Sequence, residues 1–241
     1  MTQIKPISDE TLEVLKNIPT QTLIDGLWVK GWPSGYVEGA KPLQLGQSMV
    51  GRAVTLRFVP HRPDIAEDKP KKEKSAEYLA IELCGPGEVL VIDAMGWEYS
   101  SIGGDIKFMR LMQLQVGGLV TDGGVRDSVA LKEYGFPVYS ASTTAKQGPA
   151  DFWPWQVNDA IQCGRVLVRP GDAVVGDDDG VVVVPRSEVD EVIRIAHERE
   201  KVEEVIKAQL EIENCSPGKY YPFNENTWKL YEEKTGRKKV Q

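Results

Sequence analysis

The chain has 241 residues, of which 41% are hydrophobic and 27% charged, the balance of a globular protein that can bury a sizeable core. Its formal net charge of −7 argues against a nucleic-acid-binding surface, because such a surface needs a concentrated basic face. Residues 1–9 lack the apolar stretch of a signal peptide and no long apolar run occurs, so we expect a cytosolic protein.

The first part of the chain predicts two short helices and a strand. Apolar residues recur at helical spacing over Ser8–Ile18, with Ser8 or Asp9 as the cap, and again from Thr20 to about Val29. The segment Gly51–Val59, GRAVTLRFV, alternates as a strand does. Residues 60–75 are polar and proline-rich, and we interpret them as an excursion from the core.

The middle of the chain alternates strands with helices. EVLVID at 88–93 predicts a compact buried strand. A helix is predicted to open at Asp105, after two glycines, and to run to about Val116. Its apolar side would carry Ile106, Met109 and Met112.

The same alternation continues after this helix. Gly117-Gly118 should end the helix, and Leu119–Asp122 predicts another buried strand. Asp127–Tyr134 predicts a helix, and Pro137–Ser140 predicts a third strand. Alternation of this kind indicates an α/β fold with a partly parallel sheet.

The last part of the chain changes to short strands followed by one long helix. Valine-rich segments at 165–169, 173–176 and 181–184 predict strands, and DDDG between the last two is a strong hairpin signal. Ser187–Glu213 predicts a charged amphipathic helix that lies against solvent or against a neighbouring subunit. We interpret residues 1–241 as one domain with an N-terminal helical segment, and we expect the C-terminal helix and tail, from about residue 187, to pack on a neighbouring subunit.

Cysteine and histidine offer few candidates for a zinc site or a catalytic triad. Cys84, Cys163 and Cys215 lie far apart without CxxC spacing, so we expect reduced, buried thiols. His61 lies in the proline-rich stretch and His197 on the charged helix, where exposure to solvent is the ordinary outcome. A metal ion bound here would therefore be a hard cation held mainly by oxygen.

The stretch from Gly103 to Asp127 contains the residues best suited to chemistry. Asp105 begins a helix directly after two glycines, which allow a ligand to approach the backbone. The free N–H groups of residues 104–107 and the helix dipole would together form a cradle for an anion. Asp105 also has a purely structural alternative, as an early-helix acid that interacts with the dipole.

The sequence DGGVRD at 122–127 follows the next buried strand. In a parallel sheet this loop and the cradle lie at the same edge, so Arg126 and the cradle can face one pocket. A planar guanidinium can hold a carboxylate in a fork, and Asp127 can offer an oxygen to a divalent ion. These groups suit a 2-oxo acid, whose enolate a metal would stabilise when a carbon–carbon bond breaks.

Structural alternatives exist for these residues too. Asp122 is better explained as a turn former before two glycines, and Arg126 and Asp127 could be a surface ion pair at a helix start. Lys107 or Lys132 could form a Schiff base, but neither lies in an evidently apolar context, so we do not favour that chemistry.

Four motifs, in this order and spacing, resemble the RraA-like family: GGD at 103–105, GGLVTDGGVRD at 117–127, RPGD at 169–172 and GDDDGVVVVP at 176–185. The resemblance extends over roughly Pro19 to Leu210. The family includes divalent-metal 4-hydroxy-4-methyl-2-oxoglutarate / 4-carboxy-4-hydroxy-2-oxoadipate aldolases, which also decarboxylate oxaloacetate. The resemblance implies a three-layer β/β/α sandwich of the swivelling-domain type that assembles as a trimer or a dimer of trimers.

The resemblance also implies roles for individual residues. It implies Mg²⁺ or Mn²⁺, with Asp127 as the single direct carboxylate ligand and waters completing the shell. Asp105 would help hold the water that delivers a proton to the pyruvate enolate. The pyruvate carboxylate would bind Arg126 and the backbone of Gly104, Asp105, Ile106 and Lys107.

In the related aldolases a glutamate from the neighbouring subunit's late helix assists catalysis. Glu203 in the sequence REKVEE is the best match for that glutamate, and Glu200 and Glu204 are alternatives.

Three parts of the chain depart from a short aldolase of this family: residues 60–75, ADFWPWQVND at 150–159, and the tail after Glu213. Trp153 and Trp155 are expected in an interface or the core in preference to the pocket wall. These segments leave the substrate open, and a 2-oxo acid derived from a sugar acid is one alternative.

Two other functions compete with an aldolase. The family takes its name from a regulator that inhibits RNase E by protein contact, but such a member need not keep an acid after the arginine, and this chain has Arg126-Asp127 as well as Asp105. A methyltransferase would need a nucleotide-binding glycine loop, whose spacing Gly117-Gly118 and Gly123-Gly124 do not supply. We therefore predict a metal-dependent carbon–carbon lyase that acts on a small 2-oxo acid.

Overall fold

The structure is a computed structural model that describes residues 5–237. It divides into two compact units, one that ends at Ile193 and one that begins at Arg194. The helices are α1 (Asp9–Leu15), α2 (Thr20–Val29), α3 (Ala76–Leu83), α4 (Asp105–Gln113), α5 (Ser128–Tyr134), α6 (Val189–Glu213) and α7 (Glu225–Thr235). The strands are β1 (Lys41–Pro42), β2 (Met49–Pro60), β3 (Glu88–Asp93), β4 (Gly118–Thr121), β5 (Gly124–Val125), β6 (Val138–Ser140), β7 (Ser142–Thr143), β8 (Phe152–Val157), β9 (Ile161–Cys163), β10 (Val166–Val168), β11 (Ala173–Asp177) and β12 (Gly180–Val184).

A mixed eight-stranded sheet forms the centre of the first unit. Its order is β1-β6-β4-β3-β2-β11-β12, and β8 also pairs with β2. The neighbours β2, β3, β4 and β6 run parallel to one another. The partly parallel sheet predicted from the alternating middle of the chain is therefore confirmed. The hairpin predicted around DDDG is confirmed as well, since β11 and β12 pair antiparallel up to Asp177 and Gly180.

Alternate residues of the central strands belong to two different apolar clusters, which is expected when a sheet is covered on both faces. Leu90 and Ile92 of β3 pack in one cluster with residues of α3, α4 and α5. Val89 and Val91 pack in the other with residues of β9 and β10. The result is a helical layer, a central sheet and a small second β layer, so the three-layer β/β/α sandwich is confirmed.

Of the three residues predicted on the apolar face of α4, Met112 is half-buried and packs against the core, whereas the prediction is wrong for Ile106 and Met109. Ile106 is 82% exposed and Met109 is 45% exposed, whereas Phe108 and Leu111 are fully buried. Ile106 and Met109 have the same helical spacing as Phe108 and Leu111. Burying the second pair removes more apolar surface from water, because it includes an aromatic ring. The helix also ends earlier than predicted, because Gln115 already adopts a positive φ of 57° ahead of the two glycines.

The longest of the elements that were not predicted from the sequence are β8 and α7. The segment FWPWQV forms β8, which pairs antiparallel with the end of β2 across a register shift near Arg57. Trp153 is buried there, as expected of a core residue. In the tail, Glu225–Thr235 forms α7, and Asn224 caps it through a capping box with Thr227.

The second unit has an apolar cluster of its own. Val202 and Ile206 of α6 pack there with Tyr220, Leu230 and Tyr231. At the end of α6, Glu213 accepts hydrogen bonds from Lys219 Nζ at 2.6 Å, Gln209 Nε2 at 2.8 Å and the Tyr220 hydroxyl at 2.9 Å. These bonds, that from Lys219 first, lower the pKa of Glu213 to about 2.

The three cysteines are free thiols, as predicted, although Cys215 is only half-buried. Within residues 5–237, the structure contains no helix with the length and apolarity that crossing a membrane requires.

Candidate active site

Two segments meet at the start of α4. The first is Gly103-Gly104-Asp105, and the second is the turn between β5 and α5, which contains Arg126 and Asp127. The Arg126 N–H donates to the Gly103 carbonyl at 3.1 Å and fixes the two backbones side by side. The two loops therefore lie together, as predicted from their positions after neighbouring parallel strands.

Gly104 is required by the close approach of these segments. An added Cβ at this position would overlap the Asp127 carboxylate and lie 2.7 Å from Arg126 Cγ. The backbone of Gly104 is extended, with φ at −154°, so the conformation itself does not demand glycine. The requirement comes from space, because only a hydrogen atom fits between the helix start and the side chains of Arg126 and Asp127.

Asp127 stands at the N-cap position of α5 with a left-handed backbone, φ 59° and ψ 35°. That conformation is uncommon for a residue with a side chain, although Asp tolerates it better than most. It turns the carboxylate towards α4, where Asp127 Oδ2 accepts the Asp105 N–H at 3.1 Å and lies 3.5 Å from Arg126 Nε. The Arg126 and Asp127 side chains remain 47% and 42% exposed, so both can also reach a ligand.

The amide cradle predicted at residues 104–107 is only half available. The Asp105 N–H donates to Asp127, and the Lys107 N–H donates to the Gly104 carbonyl at 3.1 Å. Within residues 5–237, the structure gives no protein acceptor to the N–H groups of Gly104 and Ile106. The expectation of four free amides is therefore corrected to two, because the first helical turn tightens and Asp127 takes one donor.

The Asp105 carboxylate has a partner that was not predicted from the sequence. Tyr134, the last residue of α5, donates its hydroxyl to Asp105 Oδ1. This bond, followed by burial, raises the pKa of the Tyr134 phenol, so the tyrosine stays a neutral donor. The available signal was spacing, since Tyr134 lies seven residues after Asp127 and therefore on the same face of a helix.

An open pocket of about 790 Å³ contains these groups. Asp105, Arg126 and Asp127 line it together with Glu133 of α5 and with Thr143 and Thr144, which follow β6. The lining thus carries three carboxylates and one guanidinium. The threonines and Glu133 were also missed at the sequence level, although Thr143 and Thr144 come soon after the carboxyl end of a predicted parallel strand, where ligands commonly bind.

The donor set determines which metal ion the pocket could hold. Among the described residues, no group of three or more His, Cys, Asp or Glu side chains converges on a point, so a protein-only metal cage is absent. Asp127 Oδ2 receives the Asp105 N–H, which leaves Oδ1 for a cation. One carboxylate oxygen beside an open pocket fits Mg²⁺, which keeps several waters, or the chemically similar Mn²⁺.

Four predicted site residues do not line this pocket: Gly104, Ile106, Lys107 and Glu203. Lys107 Nζ donates to Glu77 of α3 and to the Ile102 carbonyl, 3.1 Å away. These two acceptors hold the Lys107 side chain away from the pocket. Glu203 is on the part of α6 that belongs to the second unit, with Oε1 4.0 Å from an Arg199 nitrogen. Its role in a neighbouring subunit's site stays a prediction.

Asp122 has the structural role preferred from its sequence context. The residue is 5% exposed, and its carboxylate accepts hydrogen bonds from the Ala94 N–H at 2.7 Å, from Gln162 Nε2 at 2.8 Å and from the Gly164 N–H at 3.3 Å. Burial raises the pKa of this group against the lowering effect of the three donors. Asp122 thereby joins three segments of the first unit.

Solved structures with the same fold are known. A protein from Pseudomonas syringae of uncharacterised function superposes with a TM-score of 0.75 at 23% identity, covering 89% of this chain and 98% of that one. Streptomyces coelicolor RraAS2, described as an unusual member of the RNase ES inhibitor RraA protein family, superposes with a TM-score of 0.76 at 32% identity, covering 83% of this chain and 96% of that one. The fold is therefore the α/β fold of RraA proteins.

Sequence comparison leads to the same class. A family model described as RraA-like, Aldolase/RraA, matches residues 20–183. A protein of Halalkalibacterium halodurans named "Putative 4-hydroxy-4-methyl-2-oxoglutarate aldolase" is 33% identical over 193 residues, which are 78% of this chain and 83% of that protein. The chain belongs to the RraA-like family.

Proposed function

We propose that the protein is a divalent-metal-dependent aldolase that cleaves a 4-hydroxy-2-oxo acid, such as 4-hydroxy-4-methyl-2-oxoglutarate, to pyruvate and a second oxo compound. Decarboxylation of oxaloacetate is the expected side activity, because it also breaks the C3–C4 bond of a 2-oxo acid and leaves the electron pair on C3 as the pyruvate enolate. The observation that carries the proposal is the shared pocket of Asp105, Arg126 and Asp127 at the start of α4. The name of the Halalkalibacterium relative supports the same substrate class.

Substrate binding is proposed to begin at Arg126 and the two available amides. The Arg126 guanidinium is half-exposed and suits a carboxylate, which it can bind through two parallel hydrogen bonds. The N–H groups of Gly104 and Ile106, at the positive end of α4, would contact the same carboxylate. Lys107 and Asp105 contribute to this cradle through the shape of the helix start, since their own N–H groups already have acceptors.

Asp127 is proposed to hold Mg²⁺ or Mn²⁺ through Oδ1. When bound, the ion would supply positive charge beside the oxygen atoms on which negative charge develops. The pocket needs such a charge, because three carboxylates and a single arginine line it, and an oxo-acid substrate adds at least one more negative charge.

Proton transfer is proposed to involve Asp105. With Oδ1 held by the Tyr134 hydroxyl, the other oxygen of Asp105 can orient a water molecule in the pocket. That water would deliver the proton that converts the enolate of pyruvate to its keto form. Glu203 from a neighbouring subunit of a trimer, or of a dimer of trimers, would assist, with Glu200 and Glu204 as alternatives.

The test is release of pyruvate by the purified protein, measured with 4-hydroxy-4-methyl-2-oxoglutarate and with oxaloacetate in the presence of Mg²⁺ or of EDTA. We expect activity with metal, none with EDTA, and loss of activity in Asp127→Asn. The matched control is Asp68→Asn, which makes the same change at an exposed site remote in sequence from the pocket. Pyruvate release by Asp127→Asn in EDTA at the rate that the wild type shows with Mg²⁺ would refute the metal role.

A protein-binding regulator of RNase E type is the second candidate, and the similarity to RraAS2 favours it. The two proposals differ in what Arg126 and Asp127 do. A regulator would keep its partner binding in Asp127→Asn and would release no pyruvate from any 2-oxo acid in the screen.

A further inference from the structure

A second cavity lies in the first unit and shares no lining residue with the candidate active site. Its volume is about 520 Å³, within the roughly 300–1,000 Å³ typical of small-molecule sites. Its walls come from the loop at residues 32–38, from β10 with the turn that follows it, and from the residues after β12. Neither the aldolase proposal nor the regulator alternative uses this cavity.

Positive charge exceeds negative charge in the cavity lining. Arg165, Arg169 and Arg186 line the cavity together with two carboxylates, Glu38 and Asp172. Arg165 pairs with Glu38 at 3.2 Å. In the part of the chain that the structure describes, no hydrogen bond or ion pair joins the guanidinium of Arg169 or of Arg186 to another side chain.

The buried carboxylate of Asp172 explains why these two arginines occur together. Asp172 is 4% exposed, and its two oxygens accept the backbone N–H of Arg169 at 2.9 Å and the backbone N–H of Arg186 at 3.0 Å. Both oxygens are thus occupied by backbone donors, and the two guanidinium groups stay available for a ligand. The Arg186 side chain lies against the turn between β10 and β11, with Nη1 3.4 Å from the position that a Cβ on Gly171 would occupy.

Flat and apolar side chains complete the cavity. Trp32 is 40% exposed and Leu167 is 67% exposed although both line a concave surface, and Pro33 and Pro185 stand beside them. Large apolar groups left exposed in a cavity contact apolar parts of ligands, and an indole ring stacks well on another flat ring.

We propose that this cavity is a second ligand site, which binds a small oxyanion that carries a flat ring. The guanidinium groups of Arg169 and Arg186 bind the carboxylate or phosphate, because both anions match the fork of an arginine. Trp32 and Leu167 contact the ring. The site is independent of the metal chemistry proposed for Asp127.

Isothermal titration calorimetry on the full chain tests the proposal with four probes. Benzoate presents a ring with a carboxylate, and adenosine monophosphate presents a ring with a phosphate. Inorganic phosphate and adenosine each lack one half of the proposed ligand. We expect binding of at least one of the two complete probes, at least tenfold tighter than either half-probe, and the stronger of the two identifies the class of anion.

Two variants locate the binding. Arg186→Gln should weaken it at least tenfold, since a charged hydrogen bond is lost while the backbone bond to Asp172 is kept. Leu167→Glu places a negative charge at an exposed position of the cavity, where folding is least at risk, and should weaken binding as strongly. The control Arg62→Gln removes the same charge from an exposed arginine outside the cavity and should bind as the wild type does.

Three results would overturn the proposal: no binding of either complete probe at millimolar concentration, equal weakening by Arg62→Gln, or loss of binding in Asp127→Asn with retention in Arg186→Gln. The last result would place the ligand in the first pocket. Pyruvate release, if present, should be unchanged in Arg186→Gln, so failure of this proposal and failure of the aldolase proposal can be told apart.

Discussion

Replacing Gly104 with alanine perturbs the candidate active site at the point where its two segments touch. The new methyl group would overlap the Asp127 carboxylate and press on Arg126 Cγ, 2.7 Å away. Both neighbours are partly exposed side chains that can swing outwards, and the extended backbone of Gly104 suits alanine. The fold should therefore accept the change, while the site should lose the contact between Asp127 and the start of α4.

The size of the effect follows from the bond that is lost. The Asp105 N–H donates to a charged oxygen at 3.1 Å, and hydrogen bonds to charged groups contribute about 1.5–3 kcal/mol. Because Asp127 is 42% exposed, solvent screening favours the lower part of that range, about 1.5–2 kcal/mol. At 1.36 kcal/mol per factor of ten, kcat/KM for pyruvate release should fall roughly 10- to 30-fold.

The assay couples pyruvate release to lactate dehydrogenase and follows NADH consumption over a range of Mg²⁺ concentrations. Gly104→Ala should need more Mg²⁺ for half-maximal activity, and its free energy of unfolding should stay within about 1 kcal/mol of the wild type. Gly218→Ala is the control, because a Cβ there would have its nearest neighbour, Ser216 Oγ, at 3.6 Å. Wild-type activity and metal requirement in a folded Gly104→Ala would refute the reasoning.

Four further predictions address the site and the two units separately. Arg126→Ala should lower kcat/KM roughly 30-fold, about 2 kcal/mol, mainly through KM, because it removes the half-exposed guanidinium that we propose binds the substrate carboxylate. An unchanged KM in steady-state kinetics would contradict this role. Glu133→Gln should raise the affinity for a dianionic 2-oxo acid about two- to fivefold in the absence of metal, since one of three carboxylates is removed; a higher Mg²⁺ requirement would instead identify Glu133 as a ligand. Phe108→Ala should cost about 3–5 kcal/mol of unfolding free energy in urea denaturation, and Ile106→Ala less than about 0.5 kcal/mol; similar costs would contradict the observed face of α4. Because the pKa of Glu213 is lowered from 4.5 to about 2, its stabilising effect is present above pH 4.5 and lost as the pH falls towards 2. The stability difference between wild type and Glu213→Gln, measured by denaturation at several pH values, should shrink over that interval, and a constant difference would contradict the prediction.

Periodic patterns predicted most of the first unit. The parallel core β2-β3-β4-β6 is rich in apolar residues bounded by turns, and each of its strands was predicted within a few residues of its bounds. β8 could not be predicted in this way because Pro154 interrupts its pattern. It forms a strand only because the bulged end of β2 offers it a partner. The predictions for Ile106 and Met109 of α4 were wrong for a related reason, because apolar residues lie on two sides of this short helix and only the packed core decides which side is buried.

The candidate site was predictable where topology alone brings residues together. Arg126, Asp127 and the start of α4 follow neighbouring strands of a parallel sheet, so their meeting at one edge is a consequence of strand order. The occupation of the amides was not predictable, because it depends on the left-handed backbone of Asp127, which directs the carboxylate at the Asp105 N–H. The bond from Tyr134 to Asp105 likewise depends on the angle between α4 and α5, which sequence spacing does not give.

The contact between Asp127 and the Asp105 N–H changes the electrostatic potential at the start of α4. A carboxylate at a helix start satisfies a backbone donor, but it also cancels part of the positive potential that would attract an anionic substrate. The free oxygen of Asp127 could hold a divalent cation, which would restore that potential where the proposed substrate binds. The proposed substrate carboxylate would then bind Arg126 and the amides of Gly104 and Ile106 more tightly, so substrate affinity, and not catalysis alone, should increase with Mg²⁺.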